Sequence, residues 1–248
     1  MLLLFIAGAA FLATFAGGLL ALRLKDKLHL VLGFSAGAVI GVAFFNLLPE
    51  ALQLGQKYDS AATLLTWACL GFLLYLILDR AILYYGQAPQ HENHEHDEAA
   101  RNPDHGSLGA ASLSAHSFLD GIAIGLAYQT SPATGAIVTI GVLTHDFSDG
   151  VNTMNLILKD GGTRRQALKW LLIDAAAPGA GIVSTMFFTL PERLFGAALA
   201  IFYGFFLYIG ASDFIPESHH AHPKILTTVM TLLGTALIYF AVRLAGSG

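Results

Sequence analysis

The chain has few charged residues and almost no cysteine. Charged side chains make up 12% of its 248 residues, whereas about 25% is usual in soluble domains. Such a chain has too little polar surface to cover itself in water. Its single cysteine, Cys69, excludes a disulfide framework within the chain and a metal site rich in thiolates. What the chain has instead is apolar sequence, with 55% hydrophobic residues and a mean hydropathy of +0.62.

Eight apolar segments are long enough to cross a bilayer, which takes about 20 mostly apolar residues in a helix. They are 2–22, 28–52, 61–83, 108–128, 133–158, 168–190, 194–214 and 225–244. In lipid, only helices and closed barrels satisfy their own backbone polar groups, and these runs are too long and too continuous for barrel strands. The sequence therefore predicts an all-α integral membrane protein of eight transmembrane helices, forming one transmembrane domain over 1–248.

Lys and Arg are spread unevenly over the connections between these segments. Ten of the thirteen lie in or beside the connections after segments one, three, five and seven, and three lie elsewhere. Because basic residues concentrate on the cytoplasmic side of membrane proteins, the larger group marks the cytoplasmic face. Both termini are then predicted to lie outside the cytoplasm, which agrees with an even number of spans.

The connection between segments three and four, 86–106, differs in composition from the rest of the chain. It is rich in acids, Pro and Asn, has no apolar periodicity, and contains His91, His94, His96 and His105. One interpretation is a solvated linker in which the histidines are incidental. The other, which we favour because His-rich tracts often bind metal, is a cytoplasmic loop that captures metal with low affinity.

One short pattern occurs twice, near the middle of segments four and five: HSFLDG at 116–121 and HDFSDG at 145–150. In each copy a His and an Asp are four residues apart, so a helix presents both on one face. Ionisable side chains at this depth in a bilayer are costly and usually serve a function. The connection at 129–132 is so short that the two helices must be antiparallel neighbours. The sequence therefore predicts that the two His/Asp pairs meet at mid-membrane.

The two helices together offer nitrogen and oxygen ligands for a cation, judged from a rotation of about 100° per residue. The main donors are His116, Asp120, His145, Asp146 and Asp149, with Ser117 and Asn152 as weaker oxygen donors. This donor set suits Zn(II), Fe(II), Mn(II) or Co(II) and disfavours Cu(I). Three carboxylates buried together repel one another, so we expect a metal ion or bound protons among them. A purely structural polar network is the alternative.

Two further segments share a pattern at opposite ends of the predicted bundle: NLLPEAL at 46–52 and DFIPES at 213–218. Taken alone, each is explained by a Pro that ends a helix and a solvated Glu. As a pair on opposite membrane faces, they predict inverted halves, segments one to three against six to eight, as in many transporters. The result is a 3+2+3 bundle. The predicted outer mouth carries Asn46 and Glu50, and the inner mouth carries Asp213, Glu217, His219, His220 and His222.

Together these features resemble the ZIP (Zrt/Irt-like protein) family of divalent metal transporters over nearly the whole chain. The resemblance implies a non-enzymatic, multi-pass protein of the cell membrane, inner or plasma, that brings divalent metal into the cytoplasm. Zn²⁺ is the expected substrate, with Fe²⁺, Mn²⁺ and Cd²⁺ as further candidates, and no cofactor is implied beyond the transported ion. A homodimer is consistent with the resemblance. The ligands it implies are His116, Asp120, His145, Asp146 and Asp149.

The chain departs from the usual family pattern at several positions of the site. Ser117 stands where an Asn usually follows the segment-four His, and Ser148 with Asp149 replaces a Pro and a Glu. In segment six, where bacterial relatives often have a Glu, the chain has Ala177. Asp174, one turn earlier, either replaces that ligand or makes a helix-packing hydrogen bond. These changes remove ligands mainly from a second metal position, so we expect one principal site.

An intramembrane metal-dependent hydrolase is the main rival interpretation, because it too would bury His and Asp around a metal ion. A catalytic metal needs an open coordination position and an acid or base for the attacking water. The sequence contains no HExxH and no GxSxG. Paired mouths on opposite membrane faces have no purpose in a hydrolase, so the sequence favours transport.

Overall fold

The structure is a computed structural model that describes residues 1–20, 28–86, 103–219 and 225–246. Within these ranges it is helical apart from the short connections 56–60, 131, 160–163 and 188–191, and it has no strand. The helices are α1 (Leu2–Leu20), α2 (Leu28–Val42), α3 (Leu48–Gly55), α4 (Ala61–Gly86), α5 (Pro103–Thr130), α6 (Pro132–Lys159), α7 (Arg164–Ser184), α8 (Glu192–Tyr208), α9 (Ile215–His219) and α10 (Ile225–Gly246). Short π-helical segments join α2 to α3 and α8 to α9, and a 3-10 turn follows α7.

Parts of the predicted metal-capturing loop and of the predicted inner mouth lie outside the described residues. These are His91, His94, His96, His220 and His222. For His105, Glu217 and His219 the backbone lies in a helix, but the side chains are outside the description as well. The roles assigned to all eight residues stay predictions.

Seven helical stretches in the described part of the chain are long and apolar enough to cross a membrane. The predicted all-α membrane class is therefore confirmed. The eighth long helix, α6, has 28 residues, but its HDFSDG segment makes it too polar for that count. Because α1, α2, α5 and α7 all pack against α6, its polar side is covered by protein instead of lipid.

Helix α7 differs at both ends from the predicted span 168–190. It begins at Arg164 because a capping box directly before it satisfies backbone donors of the first turn. It ends at Ser184 and continues only as a 3-10 turn. There the side-chain amide of Gln129 donates hydrogen bonds to the carbonyl oxygens of Thr185 and Phe188, at 2.9 Å each. These bonds satisfy carbonyl groups that the end of a helix leaves unpaired.

A π-helical segment precedes each of the two Pro-Glu sites. The segments are Ala43–Leu47 and Ile209–Phe214, and in each case the proline, Pro49 or Pro216, is the second residue after the segment. A proline has no N–H for the carbonyl four residues before it. In both places the first residue after the segment donates to the carbonyl five residues before it. The similarity of the two sequences therefore extends to the backbone.

Four pairs of helices cross at reciprocal glycines. At each crossing, a methyl group added to either glycine would overlap a backbone carbonyl oxygen of the partner helix, so the close approach depends on glycine. The pairs are Gly17 with Gly150 (α1/α6), Gly121 with Gly181 (α5/α7), Gly37 with Gly234 (α2/α10) and Gly71 with Gly204 (α4/α8). Gly121 and Gly150 are the last residues of the two hexapeptides. Asp120 and Asp149, which directly precede these two glycines, therefore lie beside helix crossings.

The helices pack in two groups. In the first group, α1, α6 and α7 contact one another, and α5 packs on α6 and α7. In the second group, α2 packs on α10, and α8 packs on α3 and α4. The most extensive contact between the two groups is that of α2 with α6, and α4 also contacts α5. The hexapeptides of α5 and α6 lie in the first group and face the second.

Candidate metal centre

The His and Asp residues spaced four apart in the two hexapeptides converge on one point. His116 and Asp120 come from α5, His145 and Asp149 come from α6, and one ligand atom from each lies within 4.8 Å of the others. All four side chains are buried, with His116 5% exposed and Asp149 0% exposed. The short connection between α5 and α6 holds the helices antiparallel, so the two similar sequences place their ligand faces opposite each other.

Each of the two carboxylates faces both imidazoles. Asp149 Oδ2 lies 2.9 Å from Nδ1 of His145 and 3.9 Å from Nε2 of His116. Asp120 Oδ2 lies 3.1 Å from Nε2 of His116 and 3.9 Å from Nε2 of His145. Ligand atoms around a tetrahedral zinc ion with ordinary bond lengths would be about 3.3 Å apart. Because the separations of these pairs bracket that value, small side-chain movements would let two nitrogens and two oxygens surround one ion.

Several polar atoms of this cluster are buried without a hydrogen bond to any described residue. They are both ring nitrogens of His116, Oδ2 of Asp120 and Oδ1 of Asp149. A buried polar atom left unpaired costs about 1–3 kcal/mol, and native interiors keep few of them. A divalent cation would supply the missing partner to the oxygens and to one ring nitrogen. The donor set therefore fits a metal ion better than it fits a self-contained hydrogen-bond network.

Asp146 lies outside the group of four residues. Its side chain is fully buried, and among the described residues neither carboxylate oxygen has a hydrogen-bond partner. It lies within electrostatic range of His145, Asp149 and Asp174. Within the described ranges, nothing donates a hydrogen bond that would balance the charge of this carboxylate. Asp146 lies close to the four-residue cluster but outside it. Its role as a direct ligand stays a prediction.

Asp174 joins three helices through its carboxylate. The hydroxyl of Ser117 on α5 donates to Oδ1 at 2.8 Å, and the hydroxyl of Thr153 on α6 donates to Oδ2 at 2.8 Å. These hydrogen bonds match the helix-packing alternative for Asp174, and its role as an auxiliary ligand stays a prediction. Thr153 was absent from the predicted set, although it lies four residues after Asp149 and so on the same side of α6 as that carboxylate. Asn152 lies about 10 Å along α6 from His145, and its role as an auxiliary ligand stays a prediction.

Aromatic side chains of the second helix group enclose the two imidazoles. Tyr75 on α4 meets the ring of His116 edge to face, with centroids 5.9 Å apart. Phe206 and Phe214 meet the ring of His145 at 6.3 and 5.8 Å. These rings exclude water, and polar interactions strengthen where water is excluded. Sequence reasoning missed them because an aromatic residue on an apolar helix carries no signal that separates it from ordinary core.

One hydroxyl from the second group reaches the backbone of the second hexapeptide. Ser35 on α2 is fully buried and donates to the carbonyl oxygen of Thr144 at 2.8 Å. Its oxygen also lies 3.2 Å from that of Ser148. Thr144 and Ser148 directly precede His145 and Asp149 in the chain. Ser35 therefore holds the part of α6 that carries two of the four converging residues.

The residues of the predicted mouths lie apart from the four-residue cluster. Asn46, in the first π-helical segment, is buried, and its Oδ1 has no hydrogen-bond partner in the part of the chain that the structure describes. Glu50 is half-buried, with Thr134 of α6 as its hydrogen-bond partner. Asp213, in the second π-helical segment, is half-buried and within electrostatic range of Asp149. The predicted inner mouth therefore has one carboxylate within electrostatic range of the centre, and its role as a mouth stays a prediction.

Comparison with known proteins gives matches over nearly the whole chain. A family model described as ZIP Zinc transporter matches residues 1–109 and 106–241. Zinc transporter ZupT of Corynebacterium aurimucosum is 25% identical over 249 residues, which cover 92% of this chain and 93% of that protein. Zinc transporter ZupT of Corynebacterium efficiens is 27% identical over 258 residues, with the same coverage. Zinc transporter ZIP4 of Homo sapiens is 31% identical over 101 residues, covering 41% of this chain and 16% of its own length.

Proposed function

This chain belongs to the ZIP zinc transporter family and is a multi-pass membrane transporter of divalent metal ions, and on that premise we propose that the ion crosses the membrane through the buried His/Asp cluster. The observation that carries this proposal is the convergence of His116, Asp120, His145 and Asp149 within 4.8 Å. A divalent cation in the interior needs such compensation, because an ion loses its hydration shell there.

Zinc is the proposed preferred substrate. Two imidazole nitrogens and two carboxylate oxygens are ordinary ligands of Zn²⁺, which takes four in a tetrahedral arrangement. The full-length bacterial relatives are named as zinc transporters. The same donor set also accepts Fe²⁺ and Mn²⁺, and Cd²⁺ remains a proposed competitor. We therefore expect zinc to compete best, with the other ions as weaker competitors.

The proposed route runs by alternating access, from the Asn46/Glu50 mouth through the centre to the Asp213 mouth and so into the cytoplasm. Inverted halves in a 3+2+3 arrangement are part of this proposal. Two features support them: the matching π-helical segments before the two Pro-Glu sites, and the packing of the helices. When the first three spans are exchanged for the last three, and α5 for α6, the α1/α6 crossing becomes α7/α5 and the α2/α10 crossing becomes α8/α4.

Transport by the purified chain in liposomes tests the proposed function. A zinc-sensitive dye inside the vesicles should report saturable, gradient-driven accumulation, and unlabelled divalent ions should reduce it in the order of their affinity. Empty liposomes are the control. Metal-dependent hydrolysis of a lipid or peptide without ion accumulation would instead support the intramembrane hydrolase and contradict transport.

Asp146→Asn should weaken zinc binding about tenfold and stabilise the zinc-free protein. The substitution removes a buried carboxylate that has no hydrogen-bond partner, so repulsion from Asp149 disappears when no cation is present. Binding weakens because a nearby negative charge is lost, as with other groups just outside a metal's direct ligands. Calorimetric zinc titration and thermal unfolding measure both effects. A loss of affinity as large as that caused by Asp149→Asn would make Asp146 a direct ligand.

Ser35→Ala should raise the zinc concentration for half-maximal uptake about tenfold, because the hydrogen bond that holds the Thr144 carbonyl is lost. Groups that orient metal ligands typically contribute 10–100-fold to affinity. Ser114→Ala is the matched control, since the hydroxyl of Ser114 is also buried but bonds to the carbonyl of Ala110 within its own helix. If the two variants gave equal uptake curves, Ser35 would have no role in supporting the metal site.

A further inference from the structure

A groove of about 720 Å³ lies between the first π-helical segment and the last helix, apart from the metal centre. Phe44, Phe45 and Pro49 line one side, and Tyr239 and Arg243 line the other, with aliphatic residues of α10 beside them. The volume falls within the range of about 300–1,000 Å³ that is usual for ligand sites. Phe44 is 44% exposed in the groove. Both walls belong to stretches that are apolar enough to span the membrane, so the groove opens toward lipid.

Arg243 places one positive charge at the end of this apolar groove. Its guanidinium carbon lies 5.3 Å from the centroid of the Tyr239 ring, and its Nε–H donates to the hydroxyl of Tyr239 at 3.3 Å. Within the described ranges, no carboxylate lies close enough to form an ion pair with it. The guanidinium has five N–H donors, and Tyr239 accepts one of them. The cation is therefore held in place by an aromatic ring while most of its donors remain available.

From this arrangement we propose that the groove binds a phospholipid with a net negative headgroup. The lipid phosphate accepts two hydrogen bonds from Arg243, the geometry in which a guanidinium binds phosphate best. An acyl chain lies along Phe44 and Phe45. A basic residue in the last turn of a membrane helix lies at the level of the headgroups, so the charge and the apolar groove match the two parts of one lipid molecule.

The bound lipid contacts the segment that carries the Asn46 mouth. Phe44 and Phe45 belong to the same π-helical segment as Asn46, and Pro49 directly precedes Glu50. A lipid packed against these side chains stabilises the π-helical conformation of the segment. This second step rests on the proposed function: occupancy of the groove then changes the rate of zinc uptake through the Asn46 mouth.

Lipid retention by the purified full chain tests the binding site directly. The detergent-solubilised protein is mixed with phosphatidylglycerol or with phosphatidylcholine of the same acyl chains, and native mass spectrometry counts the lipids retained. We expect the unmodified protein to retain phosphatidylglycerol about tenfold better, because the choline cation of phosphatidylcholine cancels the charge of its phosphate and repels Arg243, and we expect Arg243→Gln to lose that preference. Arg193→Gln is the matched control, because Arg193 is an exposed basic residue at the start of α8 and should leave the preference unchanged.

Three results of this experiment would overturn the proposal. Equal retention of the two lipids by the unmodified protein would mean that the groove takes acyl chains regardless of headgroup. Equal loss of preference in both arginine variants would mean a diffuse surface attraction. A change of oligomeric state in Arg243→Gln without a change in lipid retention would mean that a second copy of the chain covers the groove.

Zinc uptake in liposomes with and without phosphatidylglycerol tests the second step. Anionic lipid attracts zinc to the membrane surface for every variant, so the measured quantity is the ratio of uptake by the unmodified protein to uptake by Arg243→Gln. This ratio should change at least twofold when phosphatidylglycerol is added, whereas the ratio to Arg193→Gln should stay constant. A constant Arg243 ratio would overturn the effect on uptake. Absence of uptake in all variants, with lipid retention as expected, would contradict the proposed function and leave the lipid site standing.

Discussion

Asp149→Asn should abolish zinc uptake while leaving the helix bundle folded. The amide has the size of the carboxylate and can still form a hydrogen bond with His145, but it lacks the charge that attracts the cation. Loss of a direct ligand should weaken zinc binding at least 100-fold, the upper end of what loss of an orienting group costs. Uptake in proteoliposomes should then fall to the level of empty vesicles.

Thermal unfolding with and without zinc separates lost binding from lost structure. At a zinc concentration of 100 times the dissociation constant, binding stabilises the unmodified protein by about 2.7 kcal/mol, and a 100-fold weaker variant gains only about 0.4 kcal/mol. Asp160→Asn, at the C-terminal end of the same helix, should behave as the unmodified protein. If Asp149→Asn keeps the full zinc-dependent stabilisation, the metal does not bind at this cluster.

Gly17→Ala should destabilise the protein strongly, by more than the 1–3 kcal/mol typical of one overpacked side chain. The added methyl group would overlap the carbonyl oxygen of Phe147, and two backbones have less freedom to move than a flexible side chain. Phe147 lies between His145 and Asp149 in the chain, so any displacement of α6 also moves two of the four converging residues. Both the unfolding temperature in detergent and the zinc affinity should fall.

Gly8→Ala on the same helix is the matched control. A methyl group there meets nothing within 4 Å, and alanine is intrinsically better than glycine inside a helix by about 0.5–1 kcal/mol. Gly8→Ala should therefore be neutral or slightly stabilising. Equal unfolding temperatures for the two variants would mean that the α1/α6 crossing tolerates a side chain and that glycine is not required there.

The class of fold and the pairing of the hexapeptides could be predicted because each depends on a short-range rule. In lipid, an apolar segment of about 20 residues can adopt only a few structures, because its backbone polar groups must be paired. The apolar composition of the segments therefore predicts a helical bundle. A spacing of four residues fixes which side chains share a helix face, and a short connection fixes the partner helix. His116, Asp120, His145 and Asp149 could be placed together on these two rules.

The remaining parts of the centre depend on helices far away in sequence. Ser35 reaches Thr144 across 109 residues, and nothing in the apolar sequence of α2 marks that hydroxyl as different from one that bonds within its own helix. Tyr75 could not be predicted for the same reason, because nothing in the sequence distinguishes it from the other aromatic residues. For Asp174 the sequence left two roles open, because the donors that support the packing role, Ser117 and Thr153, come from two other helices. Its role as a ligand stays a prediction.

The reciprocal glycine crossings limit how this molecule can rearrange. A pair of helices whose backbones interlock cannot slide along its seam without driving a carbonyl group into the next turn of its neighbour. Each of the four pairs must therefore move as one stiff unit, and the bundle can only open along seams that lack such an interlock. The contact between α2 and α6 is one of these, and its hydrogen bond from Ser35 is of a kind that can be broken and remade in every cycle.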